Sequence, residues 1–98
     1  MEGPFKPQNG FAMPGSLGTP RYNKLIKLLI EARKQAELTQ AQVAEQLGKP
    51  QSFVAKYEGG ERRLDIVELV DVASVLSNSP QQLIGGFVKE IVVTTPTA

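Results

Sequence analysis

The sequence predicts an all-α fold of five short helices, with a flexible N-terminal arm before it and an extended C-terminal tail after it. Three observations predict this. Apolar residues recur at helical spacing from Tyr22 onward. Helix-capping residues stand ahead of three apolar runs, each followed three positions later by Gln or Glu. No segment before Gly85 reads as a strand.

The first helix is expected from Pro20 to Gln35. At about 100° per residue, Tyr22, Leu25, Ile26, Leu29, Arg33 and Ala36 fall on one stripe. Arg33 interrupts the apolar stripe, and a guanidinium withdrawn from water needs an anionic partner. Three later starts are marked by Thr39-Gln40-Ala41-Gln42, Asp65-Ile66-Val67-Glu68 and Ser79-Pro80-Gln81-Gln82. In each, the leading side chain can accept the third helical amide while the Gln or Glu reaches back to the cap. They place a second helix at 40–47, stopped by Gly48, a fourth at 65–76 and a short fifth at 80–84. A third, 51–58, lies between Pro50 and Gly59-Gly60. The second helix should bury Val43, Ala44 and Leu47. The fourth should bury Ile66, Leu69, Val70, Ala73 and Leu76, leaving a flank of Val67, Val72 and Val75.

The flanks read differently. Residues 1–20 hold Pro4, Pro7, Pro14, Pro20, Gly3, Gly10, Gly15 and Gly18, a composition that supports neither helix nor strand. This is the expected arm, either an unstructured tail or a segment that wraps a partner or DNA. Residues 21–86 form the expected domain. Residues 87–98 form the expected tail, in which Phe87 to Thr95 is rich in β-branched residues. That run is either a frayed end or a strand that pairs with a second copy of the chain.

Composition narrows the function classes. A chain of 98 residues, 41% hydrophobic, suffices for one small domain. The sequence contains no Cys and no His. A disulfide framework, a thiolate metal site, a cysteine nucleophile and the usual general base are therefore absent. The expectation is a protein that is not an enzyme and needs no cofactor or metal. No apolar run approaches the roughly 20 residues of a membrane span, and residues 1–19 lack the apolar core of a secretory signal. A cytoplasmic protein without membrane contact is expected.

The net charge of +1 says little by itself. Its distribution says more. Thr39 to Arg63 reads as two short helices joined by a tight connection at Gly48-Lys49, the arrangement of a helix-turn-helix unit. On a wheel with Gln51 at zero, Phe53, Val54 and Tyr57 lie between about 200° and 300°. Gln51, Ser52, Ala55, Lys56 and Gly59 lie between about 0° and 140°. One face is bulky and apolar; the other is polar or small, with no acid at its centre.

The second face carries chemistry suited to bases. A Gln amide can pair with adenine N6 and N7, Lys can donate to guanine O6 and N7, Ser can donate or accept, and Ala can touch a thymine methyl. Gln51, Ser52, Ala55 and Lys56 are the candidate base readers. An ordinary solvated helix face would look much the same. Thr39, Gln40, Lys49, Arg62 and Arg63 are candidate phosphate contacts around it. Asp65, Glu68 and Asp71 on the fourth helix are expected to face away. Glu58, at the edge of the apolar face, is the natural partner for Arg33 in a structural ion pair.

At these residues the sequence resembles the Cro/phage-repressor (XRE-type) helix-turn-helix family, over about Tyr22 to Ile84. The resemblance rests on Arg33, Leu38-Thr39-Gln40, Val43-Ala44, Leu47-Gly48, Val54, Lys56-Tyr57-Glu58, Gly60, Ala73, Leu76 and Leu83-Ile84. It implies a lambda-repressor-like five-helix domain that binds a double-stranded DNA operator, commonly as a homodimer. It also implies base-reading positions at Gln51, Ser52 and Lys56, capping or phosphate positions at Thr39, Gln40 and Arg63, and an internal pair between Arg33 and Glu58. Pro50, Gly59, Glu61 and Ser77 depart from the family pattern. Pro50 stands where a Ser or Thr cap is usual, so the third helix is expected to begin with Pro at its first position. The expectation is a sequence-specific transcriptional regulator, a repressor of phage or toxin–antitoxin type that reads the major groove with helix 51–58, with a toxin or the transcription machinery as a protein partner. The alternative is a protein-interaction module on the same fold, with DNA contact secondary or absent.

Overall fold

The computed structural model describes residues 19–94, with side chains through Val92. Five helices follow in order: α1 (Pro20–Gln35), α2 (Gln40–Leu47), α3 (Gln51–Glu58), α4 (Ile66–Leu76) and α5 (Pro80–Thr94). Among the described residues there is no strand. The expected arm lies outside the described residues, except for Thr19 and Pro20. Thr19 caps α1, its hydroxyl accepting the Tyr22 amide at 3.2 Å, and Pro20 is the first helical residue.

α2 and α4 begin with complete capping boxes. Thr39 Oγ1 accepts the Gln42 amide at 3.1 Å, and Gln42 Oε1 accepts the Thr39 amide at 2.8 Å. Asp65 and Glu68 do the same at 2.7 and 3.0 Å. The third expected box takes another form. The Ser79 amide donates instead to Ser77 Oγ at 3.0 Å, with Ser77 in extended backbone. Pro50 is the cap of α3 (φ −68°, ψ 155°) and not its first residue, and it offers no side-chain acceptor.

The first three helices end alike. Leu38, Lys49 and Glu61 amides reach back five residues to Arg33, Ala44 and Lys56 carbonyls, while Glu37, Gly48 and Gly60 amides reach back three. This is the Schellman arrangement, which needs one residue with positive φ. Gly48 (φ 69°) and Gly60 (φ 79°) adopt it without a Cβ penalty, but α1 uses Glu37 (φ 59°).

The core forms where the helical stripes meet. Tyr22, Leu25, Ile26 and Leu29 of α1 pack with Val43, Ala44, Val54, Tyr57, Leu69, Val72 and Leu76. The burial expected of α4 is corrected at three positions. Val72 is fully buried, whereas Ile66 is 68% and Val70 44% exposed. Apolar residues nearly surround α4, so periodicity left its buried side ambiguous, and packing on α2 and α5 rotates the Leu69–Val72–Leu76 face inward.

The expected extended tail is also corrected. α5 runs unbroken through Gly85-Gly86 to Thr94, and residues 95–98 of that tail lie outside the described residues. Leu83, Ile84 and Phe87 pack on the core one helical turn apart. That apolar stripe outweighs the intrinsic cost of two mid-helix glycines and of the β-branched run. α5 runs antiparallel to α1 and also packs on α4. Lys24 near the start of α1 lies 3.6 Å from Glu90 near the end of α5. At the opposite end Ala32, Gln35, Val75, Leu76 and Leu83 line one shallow cleft.

Candidate nucleic-acid interface

α3 is anchored by its buried side. Val54 and Tyr57 are fully buried, and Phe53 is half-buried with its ring edge-on to Tyr57 at 5.6 Å. Gln51, Ser52, Ala55 and Lys56 are all exposed. The small Ala55 between them lets the helix backbone come near any surface that faces it.

The end of α3 is tied to α1 and α2 by one carboxylate. Glu58 Oε2 accepts Arg33 Nε at 2.7 Å, and Oε1 accepts Arg33 Nη2 at 3.1 Å and Gln40 Nε2 at 2.9 Å. Arg33 Nη1 donates to the Leu38 carbonyl at 3.0 Å. The Arg33 and Glu58 side chains are only 14% and 6% exposed. The bond to Glu58 raises the Arg33 pKa further above its already high ordinary value, despite some loss of solvation. Beside this pair, burial, reinforced by the Glu58 charge, pushes the Tyr57 phenol far up, so it stays neutral. Its hydroxyl has no hydrogen-bond partner.

The structure brings some of the sequence-derived candidates together and redirects others. Thr39 is exposed, and although its oxygen accepts in the capping box, its own hydroxyl proton is not used there. Gln40 is half-buried and partly engaged by Glu58, a contact that the helical wheel of α3 alone did not suggest. Lys49 is exposed, with Nζ 5.4 Å from the centre of the Phe53 ring. Arg63 is exposed and lies 4.4 Å over the Tyr22 ring, whose hydroxyl accepts the Leu64 amide at 3.0 Å.

Arg62 is half-buried and bonded to Glu68 through two parallel contacts of 2.9 and 2.7 Å. Glu68 therefore does not face away from the basic edge, as its place on α4 suggested. The capping box turns it back toward the α3–α4 connection. Bonds from Arg62 and then from the Asp65 amide hold its carboxyl at about 2, against an ordinary 4.5, with the Lys49 charge adding a little. Reading α4 as one acidic stripe missed this. The Arg-to-Glu spacing of six, across a capped helix start, was the available signal. Phe53 was also missed as a platform for two cations, because it was assigned to the core alone.

Among the described residues no cluster could hold a metal ion, and no helix is long and apolar enough to cross a membrane.

Comparison with known proteins agrees with this geometry. The helix-turn-helix family model matches residues 29–83, more than half of the chain. No curated protein matches the sequence. A solved structure described as an XRE-family like protein from Pseudomonas syringae pv. tomato str. DC3000 is similar, with 43% identity and a TM-score of 0.67. The match covers 71% of this chain and 85% of that one. The two short helices joined at Gly48, the buried Val54–Tyr57 side of α3 and the register across α1 to α5 are those of a DNA-binding regulator fold, and the chain belongs to the XRE-type helix-turn-helix family.

Proposed function

We propose that the protein is a sequence-specific regulator of transcription that places α3 in the major groove of double-stranded DNA. Gln51, Ser52, Ala55 and Lys56 read base edges. Thr39, Gln40, Lys49 and Arg63 hold the flanking phosphates. The observation that carries this reading is the division of α3, with Val54 and Tyr57 fully buried and all four reading residues exposed. Occupying an operator is sufficient for repression, the mode we favour.

Binding as a two-fold dimer belongs to the same reading. The described residues span 36 × 30 × 22 Å, so two copies side by side can present reading helices about 34 Å apart, one turn of duplex. Ile66, Val67 and Val70 of α4 and Val88 and Val92 of α5 are exposed and apolar. Exposed apolar side chains of this kind can meet those of a second copy across a two-fold axis.

The test is selection from random duplexes at two salt concentrations. A consensus of two half-sites about 10 bp apart is expected, with affinity that falls steeply as salt rises. The Lys56→Ala, Arg63→Ala double variant should lose the consensus. A wild type that selects no consensus would favour a protein-interaction module using the exposed α4 surface, and a double variant that selects as well as wild type would overturn the roles given to Lys56 and Arg63.

A further inference from the structure

Arg62 lies in the α3–α4 connection, and three partners meet at its guanidinium. Nη1 and Nη2 fork onto Glu68 Oε1 and Oε2 at 2.9 and 2.7 Å. Nη1 also donates to the Arg63 carbonyl at 2.9 Å. The guanidinium carbon lies 4.8 Å from the centre of the Phe53 ring. Glu68 is itself fixed, because Oε1 accepts the Asp65 amide at 3.0 Å. The reading helix, the connection and α4 are thus joined through one side chain.

Glu68 and the Arg63 carbonyl take three of the five guanidinium N–H donors, including both that face Glu68 in parallel. A phosphate at the remaining Nε edge would have to meet a guanidinium already neutralised by Glu68 and laid against Phe53, so it would gain little. The start of α3 has a particular need for support. Pro50 gives its first turn no side-chain cap, and Phe53 stands in that turn between Ser52 and Val54.

We propose that Arg62 is a positioning residue for DNA binding. It clasps the first turn of α3 to α4, fixing Gln51 and Ser52 against the duplex, and holds no phosphate itself. This inference rests on the reading of the protein as a DNA-binding regulator.

The experiment measures specific and non-specific duplex affinity against salt for wild type, Arg62→Lys, Arg62→Ala, Glu68→Gln, Arg62→Ala with Glu68→Gln, and Arg63→Ala. All are assayed at a temperature where circular dichroism shows them folded. Lys keeps the charge but can neither fork nor stack as Arg does. The positioning role predicts that Arg62→Lys and Glu68→Gln each lose specific affinity by about fivefold. Non-specific affinity and the salt slope should stay at wild-type values in both, so the ratio of specific to non-specific binding falls. A purely structural role would leave that ratio unchanged. The combined Arg62→Ala, Glu68→Gln variant should be no worse than Arg62→Ala. Arg63→Ala should instead lower the slope by about 0.9, one released counterion.

The proposal is overturned if Glu68→Gln tightens binding, or if Arg62→Lys matches wild type while Arg62→Ala lowers the slope by about 0.9. Arg62 would then be a phosphate ligand restrained by Glu68. It is equally overturned if the specific-to-non-specific ratio is unmoved in both Arg62→Lys and Glu68→Gln. If the wild type itself selects no duplex, the DNA-binding reading fails, a result distinct from any pattern among the variants.

Discussion

Tyr57 and Glu68 show how two polar groups of one small domain differ in what they contribute. The Tyr57 ring fills the core beneath α3, but its buried hydroxyl bonds to nothing. An unsatisfied buried hydroxyl costs on the order of 1–3 kcal/mol relative to a satisfied one. Tyr57→Phe should therefore leave stability unchanged or raise it by about 1 kcal/mol, read from urea melts. A loss above ~1 kcal/mol would show that the hydroxyl has a partner. Glu68 is the opposite case. Its folded pKa, about 2, lies below the ordinary 4.5, so the pair with Arg62 stabilises the fold above the unfolded value. That contribution is lost as pH falls from 4.5 to about 2. Melting temperature measured through this window should fall less steeply for Glu68→Gln than for wild type, and parallel curves would contradict the assignment.

At the scale of the element, helix ends carry most of the sequence signal. Thr39 and Asp65 mark starts through side chains that bond locally, so their roles are legible from four residues. Gly48 and Gly60 mark stops because the left-handed backbone favours glycine. Glu37 breaks that pattern while occupying the same geometry. Replacing Glu37 with Gly should stabilise the domain by about 0.5–1 kcal/mol, whereas Gly48→Ala, where space is open but φ is +69°, should cost about 1 kcal/mol. Thermal melts of the two variants should move in opposite directions. In α5 the glycines act the other way. Gly85 and Gly86 are helical, and a Cβ built on either meets nothing within 4 Å. Gly85→Ala and Gly86→Ala should each stabilise by about 0.5–1 kcal/mol. A loss of helicity in either would mean that residues 85–86 are bent in solution. The sequence marked the pair as a helix stop because local preference does not register that Phe87 packs on the core.

For the whole molecule, the arrangement of helices decides which apolar residues face water. Val88 is half-exposed on α5, one turn beyond Ile84 at the outer edge of the stripe that faces the core. Val88→Asp should leave the monomer's melting temperature within a degree or two, since surface changes are usually within about 0.5 kcal/mol. If the α4–α5 surface joins two copies, the same variant should sediment as a monomer and bind each half-site independently. An unchanged dimer would place the contact elsewhere. The reading face was legible for a simpler reason. Val54 and Tyr57 are bulky and Ser52 and Lys56 are polar, so the period of the helix divides them without reference to other elements.

By itself the sequence determined the identity of the fold, the bounds of the first four helices to within a residue, and the two-sided character of α3. Each depends on local bonds or on helical periodicity, which act within a few residues. Only the tertiary structure decided the inward side of α4, the length of α5, and the pairing of Arg62 with Glu68 and of Gln40 with Glu58. Those outcomes depend on which surfaces meet, and neither the helical period nor the capping pattern within one element records that; the Arg33–Glu58 pair was legible because a charge standing in an apolar stripe demands a partner.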